Sequence, residues 1–231
     1  MKSKFTTQML KGILSVIVMV TYVGVLAQPK IPDITGVKDI SVNLACKLTL
    51  LQGEKASLSI KGDNKDLENV EISLSGNRLK IFSDARNQHK TDISIIITVP
   101  DLENLSIGGA VDIFTPNILN FNNLEVEVSG VADFNLNLKS EIFKLEASGV
   151  ISGNIKGSSK EFEIEISGVG KLDASEFKTV NCDAEVSGVA KISVNTSEKL
   201  TADVSGMGKI YYTGNPVVRA NSSGVGKISK M

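Results

Sequence analysis

The sequence predicts an all-β protein: a parallel β-helix or solenoid with coils of about 19 residues, capped by an N-terminal, partly antiparallel β segment. One observation is self-similarity. "VSGVADF" at 128, "ASGVISG" at 147, "ISGVGKL" at 166, "VSGVAKI" at 186, "VSGMGKI" at 204 and "SSGVGKI" at 222 are copies of one another, and "IGGAVDI" at 107 is a degenerate seventh. The shared glycines, Gly109, Gly130, Gly149, Gly168, Gly188, Gly206 and Gly224, stand 21, 19, 19, 20, 18 and 18 residues apart. A second observation is strict alternation of apolar and polar residues before each glycine, as in "LEVEVSG" and "FEIEISG", and after it, as in "KISVN". Period two means half-buried strands. A third is the lack of any helical segment or recurrent asparagine within a copy, which sets aside a leucine-rich repeat despite "LENLSI" at 102.

Residues 1–27 read as a signal peptide. Lys2, Lys4 and Lys11 precede an apolar run from Gly12 to Ala27 that contains no acidic residue and is short for a membrane span. Its removal takes three lysines and no acid from a chain of formal charge −1, leaving −4. Nucleic acid is not an expected partner at so mild a charge.

Residues 28–100 form the expected N-terminal β segment and cap. The runs "DISVNLACKLTL", "KASLSIKG", "NVEISLSGNRLKIFS" and "DISIIITVP" are strand-like but lack the Ser-Gly beat. Gly76-Asn77 has the form of a two-residue hairpin loop, which implies antiparallel pairing. An exposed terminal coil is a sticky edge, and this segment is placed to cover one. "SDARNQHKTD" reads as a polar loop, and the single histidine within it, His89, suggests no catalytic role.

Residues 101–231 form the repeated coils. Each copy reads as strand, corner at Ser-Gly, strand, and a polar return such as "NTSEK" or "LKSEI". Glycine is expected at the corner because it accepts positive φ. Lys227 and Lys230 would blunt the last edge by charge, or a second subunit would cover it.

The letters "GVGK" invite a phosphate-loop reading, which fails. Lys171, Lys191, Lys209 and Lys227 are each followed by Leu or Ile opening a strand, whereas a phosphate loop needs an earlier glycine, a following Ser or Thr and a helix. Stacked coils instead turn repeated letters into columns about 4.8 Å apart. Glu127, Glu146, Glu165, Glu185, Asp203 and Asn221 make a mostly acidic column, and Asp112, Asp133, Ser152, Lys171, Lys191, Lys209 and Lys227 one that changes from acidic to basic. Cys46 and Cys182 fall on the apolar phase of their runs, so both are expected as buried thiols. With no tryptophan, eight phenylalanines and three tyrosines, the core is expected to be aliphatic and layered.

The succession "GVKDISVNLACKLTLLQG", "LKIFSD", "ITVPDLENLSIGG" and the "SGVGKI"-like corners resembles the family called putative auto-transporter adhesin, head GIN domain, over about residues 36–220. That resemblance implies a secreted or envelope-associated β-helical protein of Gram-negative bacteria, adhesin-like, with no catalytic residues to carry over.

Three functions compete on these residues. The first is an exported, non-enzymatic binding or envelope structural module whose partner is a cell-surface glycan or envelope component, located in the periplasm, on the surface or outside the cell. It assigns no catalytic, cofactor or metal residue. The second is a polysaccharide-active β-helix enzyme using Asp112 and Asp133, a pair that could also hold calcium. The third is lateral assembly through the charged corner columns, alongside a homo-oligomer formed through the solenoid edge.

Overall fold

A computed structural model describes residues 30–83 and 92–231; the signal peptide expected over residues 1–27, His89 and most of the polar loop expected around it lie outside the described residues. The chain winds as a parallel solenoid. Strands β1 (Asp39–Asn43) and β2 (Cys46–Gln52) come first in the chain. β3 (Ser57–Lys61), the short helix α1 (Asn64–Leu67), β4 (Val70–Ser75), β5 (Arg78–Ser83) and β6 (Ser94–Val99) follow. Next come β7 (Asn104–Ile107), β8 (Ala110–Phe114), β9 (Leu119–Asn120) and β10 (Asn123–Val128). The longest strands, β11 (Val131–Ala147), β12 (Val150–Ile166), β13 (Val169–Val186) and β14 (Val189–Val204), each run from one Ser-Gly corner to the next. β15 (Lys209–Thr213), β16 (Val217–Ser222) and β17 (Lys227–Lys230) complete the described chain. All the strands join one sheet.

The register follows the repeat. Val131 pairs with Val150, Val150 with Val169 and Val169 with Val189, all in parallel. Every second side chain therefore enters an interior built of columns. One column is Val128, Ala147, Ile166, Val186 and Val204, none more than 2% exposed. Another is Leu124, Phe143, Phe162, Cys182 and Leu200. The interior is not wholly aliphatic: the Phe143 and Phe162 rings stack with centroids 5.3 Å apart, and Phe177 meets Phe162 edge-on at 5.3 Å. Cys46 and Cys182 are both free and buried, as expected, and burial pushes each thiol up to about 12.

The corners correct one expectation. None of the Ser-Gly corner glycines has positive φ; that backbone occurs at Gly36, Gly76, Gly153, Gly157 and Gly214. The corner needs glycine because the backbones touch. A Cβ on Gly149 would lie 1.9 Å from the Gly130 carbonyl oxygen, one on Gly168 1.9 Å from that of Gly149, and one on Gly188 2.0 Å from that of Gly168. Through this contact the ladder crosses the corner unbroken: the amide of Val150 donates to the Gly130 carbonyl at 2.9 Å and that of Ser148 to the Val128 carbonyl at 2.9 Å. Close approach, rather than turn conformation, selects the residue.

The polar return is likewise part of the ladder. Ser140, Ser159, Thr179 and Thr196 form a column of buried hydroxyls. Ser159 Oγ donates to the Glu141 carbonyl at 3.0 Å, and Thr179 Oγ1 donates to that of Asn195 at 2.9 Å. Hydroxyls suit a buried bend where they satisfy a carbonyl that would otherwise lose water, as those of Ser159 and Thr179 do. Thr196 shares a bond with Thr179 at 3.1 Å, and Ser140 Oγ has no partner among the described residues.

Before residue 100 the chain order and the spatial order part. β1 lies between β5 and β7, and β2 between β6 and β8, all in parallel, so residues 39–52 are a coil of the same ladder. Antiparallel pairing is present too: β3 runs against β6, and β4 against β5 through the Gly76-Asn77 loop, where Gly76 has φ 60°. A half-exposed Arg78 donates to the buried carboxylate of Asp39, its Nε at 2.7 Å and Nη2 at 2.5 Å, fastening β5 to β1. Arg78 is held further protonated by that bond.

Candidate functional site

The chemistry-bearing residues lie on the outside of the coils, in columns fixed by the parallel register. Alternation continues through each corner, so the outward positions around one glycine are an acid, the serine, a branched apolar residue and a lysine. In the coil around Gly168 these are Glu165, Ser167, Val169 and Lys171.

The acidic column is as expected: Glu127, Glu146, Glu165, Glu185 and Asp203 are successive ladder neighbours, and Asn221 follows. Beside it run Asn104, Glu125, Lys144, Glu163 and Asp183. Lys144 is the counterion where the two columns meet; its Nζ is 3.2 Å from Glu125 Oε1 and also binds Glu146. The hydrogen bonds to Glu146 and then Glu125 push this ammonium above its ordinary range. The carboxylate oxygens of Glu125, Glu127 and Glu146 come within 4.8 Å of one another. That spacing suits a cation, and Lys144 already brings a positive charge to two of the three. Between the acidic and serine columns lies a groove of about 360 Å³, bordered by Glu127, Glu146 and Glu165 on one side and Ser129, Ser148 and Ser167 on the other.

The second charged column begins one coil earlier than the sequence indicates. Lys47 pairs with Asp112, and the line continues through Asp133, Ser152, Lys171, Lys191, Lys209 and Lys227. Asp112 and Asp133 are therefore adjacent, as the repeat implies, and both are exposed. Ser152 donates a short hydrogen bond to Asp133, and neither aspartate borders the groove just described. Lys191 holds its ammonium 5.2 Å from the centre of the Tyr211 ring. Next to this column, Asp173 accepts bonds from the Ser175 hydroxyl and amide, which hold its carboxyl below the usual range.

The apolar column is the feature that attention to charged letters misses. Val131, Val150, Val169, Val189, Met207 and Val225 point outward beside each corner. The signal was present in the period-two phase, because the position two after each serine shares phase with the acid and the lysine.

A parallel solenoid with like side chains stacked in outward columns belongs to the repeat proteins that present long, regular faces. Among the described residues no helix is long and apolar enough to cross a membrane. The fold and the relatives together support a binding or adhesin-like module. The chain belongs to the family described as putative auto-transporter adhesin, head GIN domain, whose family model matches residues 37–216. Its fold is similar to that of a crystal structure described as a putative adhesin from Bacteroides fragilis, with TM-score 0.79 and 23% identity, covering 87% of this chain and 94% of that one. A structure from Parabacteroides distasonis described as a putative lipid binding protein has TM-score 0.66 and 17% identity, covering 89% and 97%. Another from Parabacteroides distasonis, described as a putative adhesin, has TM-score 0.62 and 20% identity, covering 87% and 94%. A comparison with curated proteins finds no match.

Proposed function

We propose that the protein is an exported, non-enzymatic, adhesin-like binding module of a Gram-negative cell envelope, working in the periplasm, on the surface or after release. The observation that carries this reading is the repetition of one outward side chain per coil, as in Glu127, Glu146, Glu165 and Glu185. A surface of this kind offers the same contact about every 4.8 Å. It suits an extended, repetitive partner such as a cell-surface glycan or envelope polymer, which gains avidity from many weak contacts. The lysines ahead of the apolar run at residues 12–27 support export.

Two measurements test the reading. Purified protein applied to a panel of glycans, cell-wall material and host matrix should bind at least one repetitive polymer, and silence across the panel would remove the adhesin-like role. Protease treatment of intact cells should degrade a surface-displayed protein and spare a periplasmic one. The adjacency of Asp112 and Asp133 favours one alternative, a polysaccharide-active enzyme. Turnover of a polysaccharide that disappears in the D112A/D133A double variant would support it, and turnover that persists would end it.

A further inference from the structure

An apolar ridge runs along the outside of the regular coils. Val131, Val150, Val169, Val189, Met207 and Val225 are between 45% and 83% exposed. On one side, beyond the serines, stand Glu165, Glu185 and Asp203; on the other stand Lys171, Lys191 and Lys209. Among the described residues none of these six charges lies within ion-pair distance of an opposite one. Each column stacks like charges on coils about 4.8 Å apart, so neighbours within a column repel. A surface of opposite sign at the same spacing would relieve both columns at once.

The same molecule supplies that surface. The outward columns run in the order acid, serine, valine, lysine, with the glycine corner at their midline. A two-fold axis parallel to the solenoid axis and above the glycines exchanges acid with lysine and serine with valine. Glu185 of one copy then faces Lys191 of the other, as do Glu165 with Lys171 and Asp203 with Lys209. The valine ridge enters the groove that Ser148 and Ser167 border, where small side chains leave room. Inverting one copy end to end places acid on acid and lysine on lysine. The coil carrying Glu127 and Asp133 would set acid against acid even in the parallel arrangement, so the match begins at the coil of Glu146. Five coils carry the match, about 20 Å along the solenoid axis.

We propose that a second copy of this chain docks on the valine ridge, with the two solenoid axes parallel, to form an isologous dimer. This goes beyond the proposed binding role and does not depend on its ligand. The test is sedimentation velocity on the full purified chain. The expected result is a concentration-dependent dimer that weakens about tenfold or more from low to high salt, because its charge pairs are rim-exposed. V169D/V189D changes two exposed positions and should abolish the dimer while leaving the β-sheet circular dichroism intact. E185K and K191E should each weaken it strongly, whereas E185K/K191E together should restore it, since each new lysine faces a new glutamate on the partner. A monomer at all concentrations overturns the proposal. So does a dimer indifferent to V169D/V189D, or a double charge reversal that fails to restore association in a folded protein.

Discussion

The corner at Leu44 and the corner at Gly168 occupy equivalent places in the ladder, yet one carries a large buried side chain and the other tolerates none. Val42 pairs with Ile107 and Cys46 with Val111, which puts Leu44 opposite Gly109, the first of the corner glycines. Leu44 is 3% exposed and packs in the core. Gly168, by contrast, has the Gly149 carbonyl where a methyl would go. The strands on the N-terminal side of Leu44, β5 and β6, are joined by ten residues rather than by a two-residue corner. A tight corner stacked on a tight corner forces glycine; a tight corner beside a long connection leaves room for leucine.

The sharpest break of that comparison is Gly168→Ala. Its methyl meets backbone on a neighbouring coil, so the loss should be about 4–5 kcal/mol, read as a lowered urea midpoint. Leu44→Gly should also destabilise, by about 2–4 kcal/mol, for the opposite reason: it empties core volume instead of overfilling it. If Gly168→Ala were nearly neutral, the close-approach account of the corner would fail.

The interior of the regular coils should be nearly as sensitive as their corners. Phe162→Ala removes the ring shared by Phe143 and Phe177 and should cost about 3–4 kcal/mol. In the N-terminal region, Arg78→Ala leaves the buried Asp39 carboxylate without its partner. A loss of about 1–3 kcal/mol is expected, smaller because Arg78 itself is half exposed. Thermal melts of both variants would rank the two regions.

The thiols give the smallest effect and a pH dependence. Each native thiol is pushed up to about 12, whereas an unfolded one titrates near about 8.5. Above that unfolded value the unfolded chain releases protons that the native chain keeps. Stability is therefore fully present below it and falls as pH rises toward the folded value. Urea midpoints of the parent should drop more between neutral and alkaline pH than those of a C46A/C182A double variant. Native protein should also resist thiol-specific reagents until unfolded.

Much of this was legible in the letters. The repeat spacing gave the coil, the period-two phase gave inside and outside, and the matching positions gave both charged columns and the buried cysteines. Gly76-Asn77 marked its hairpin. The reason for the corner glycines was not legible, because positive φ and close approach both select glycine and only the stacked backbones tell them apart. The coil at residues 39–52 was hidden for the same reason in reverse: with no tight corner on its N-terminal side, it had no need of the Ser-Gly signature. The valine ridge was readable in phase but not in consequence. An outward valine means little until its neighbours above and below are also known to be valines.

By itself the sequence determined the period, the phase of each side chain and the sign of each column, since these depend on positions a few residues apart along one strand. Only the tertiary structure decided which coil lies on which, that β1 and β2 sit between strands following them in the chain, and that carbonyl oxygens fill the space beside each corner glycine. Those facts belong to hydrogen bonds between distant segments, whose energy is the same for any aliphatic strand of matching phase, so no local pattern of letters distinguishes one neighbour from another.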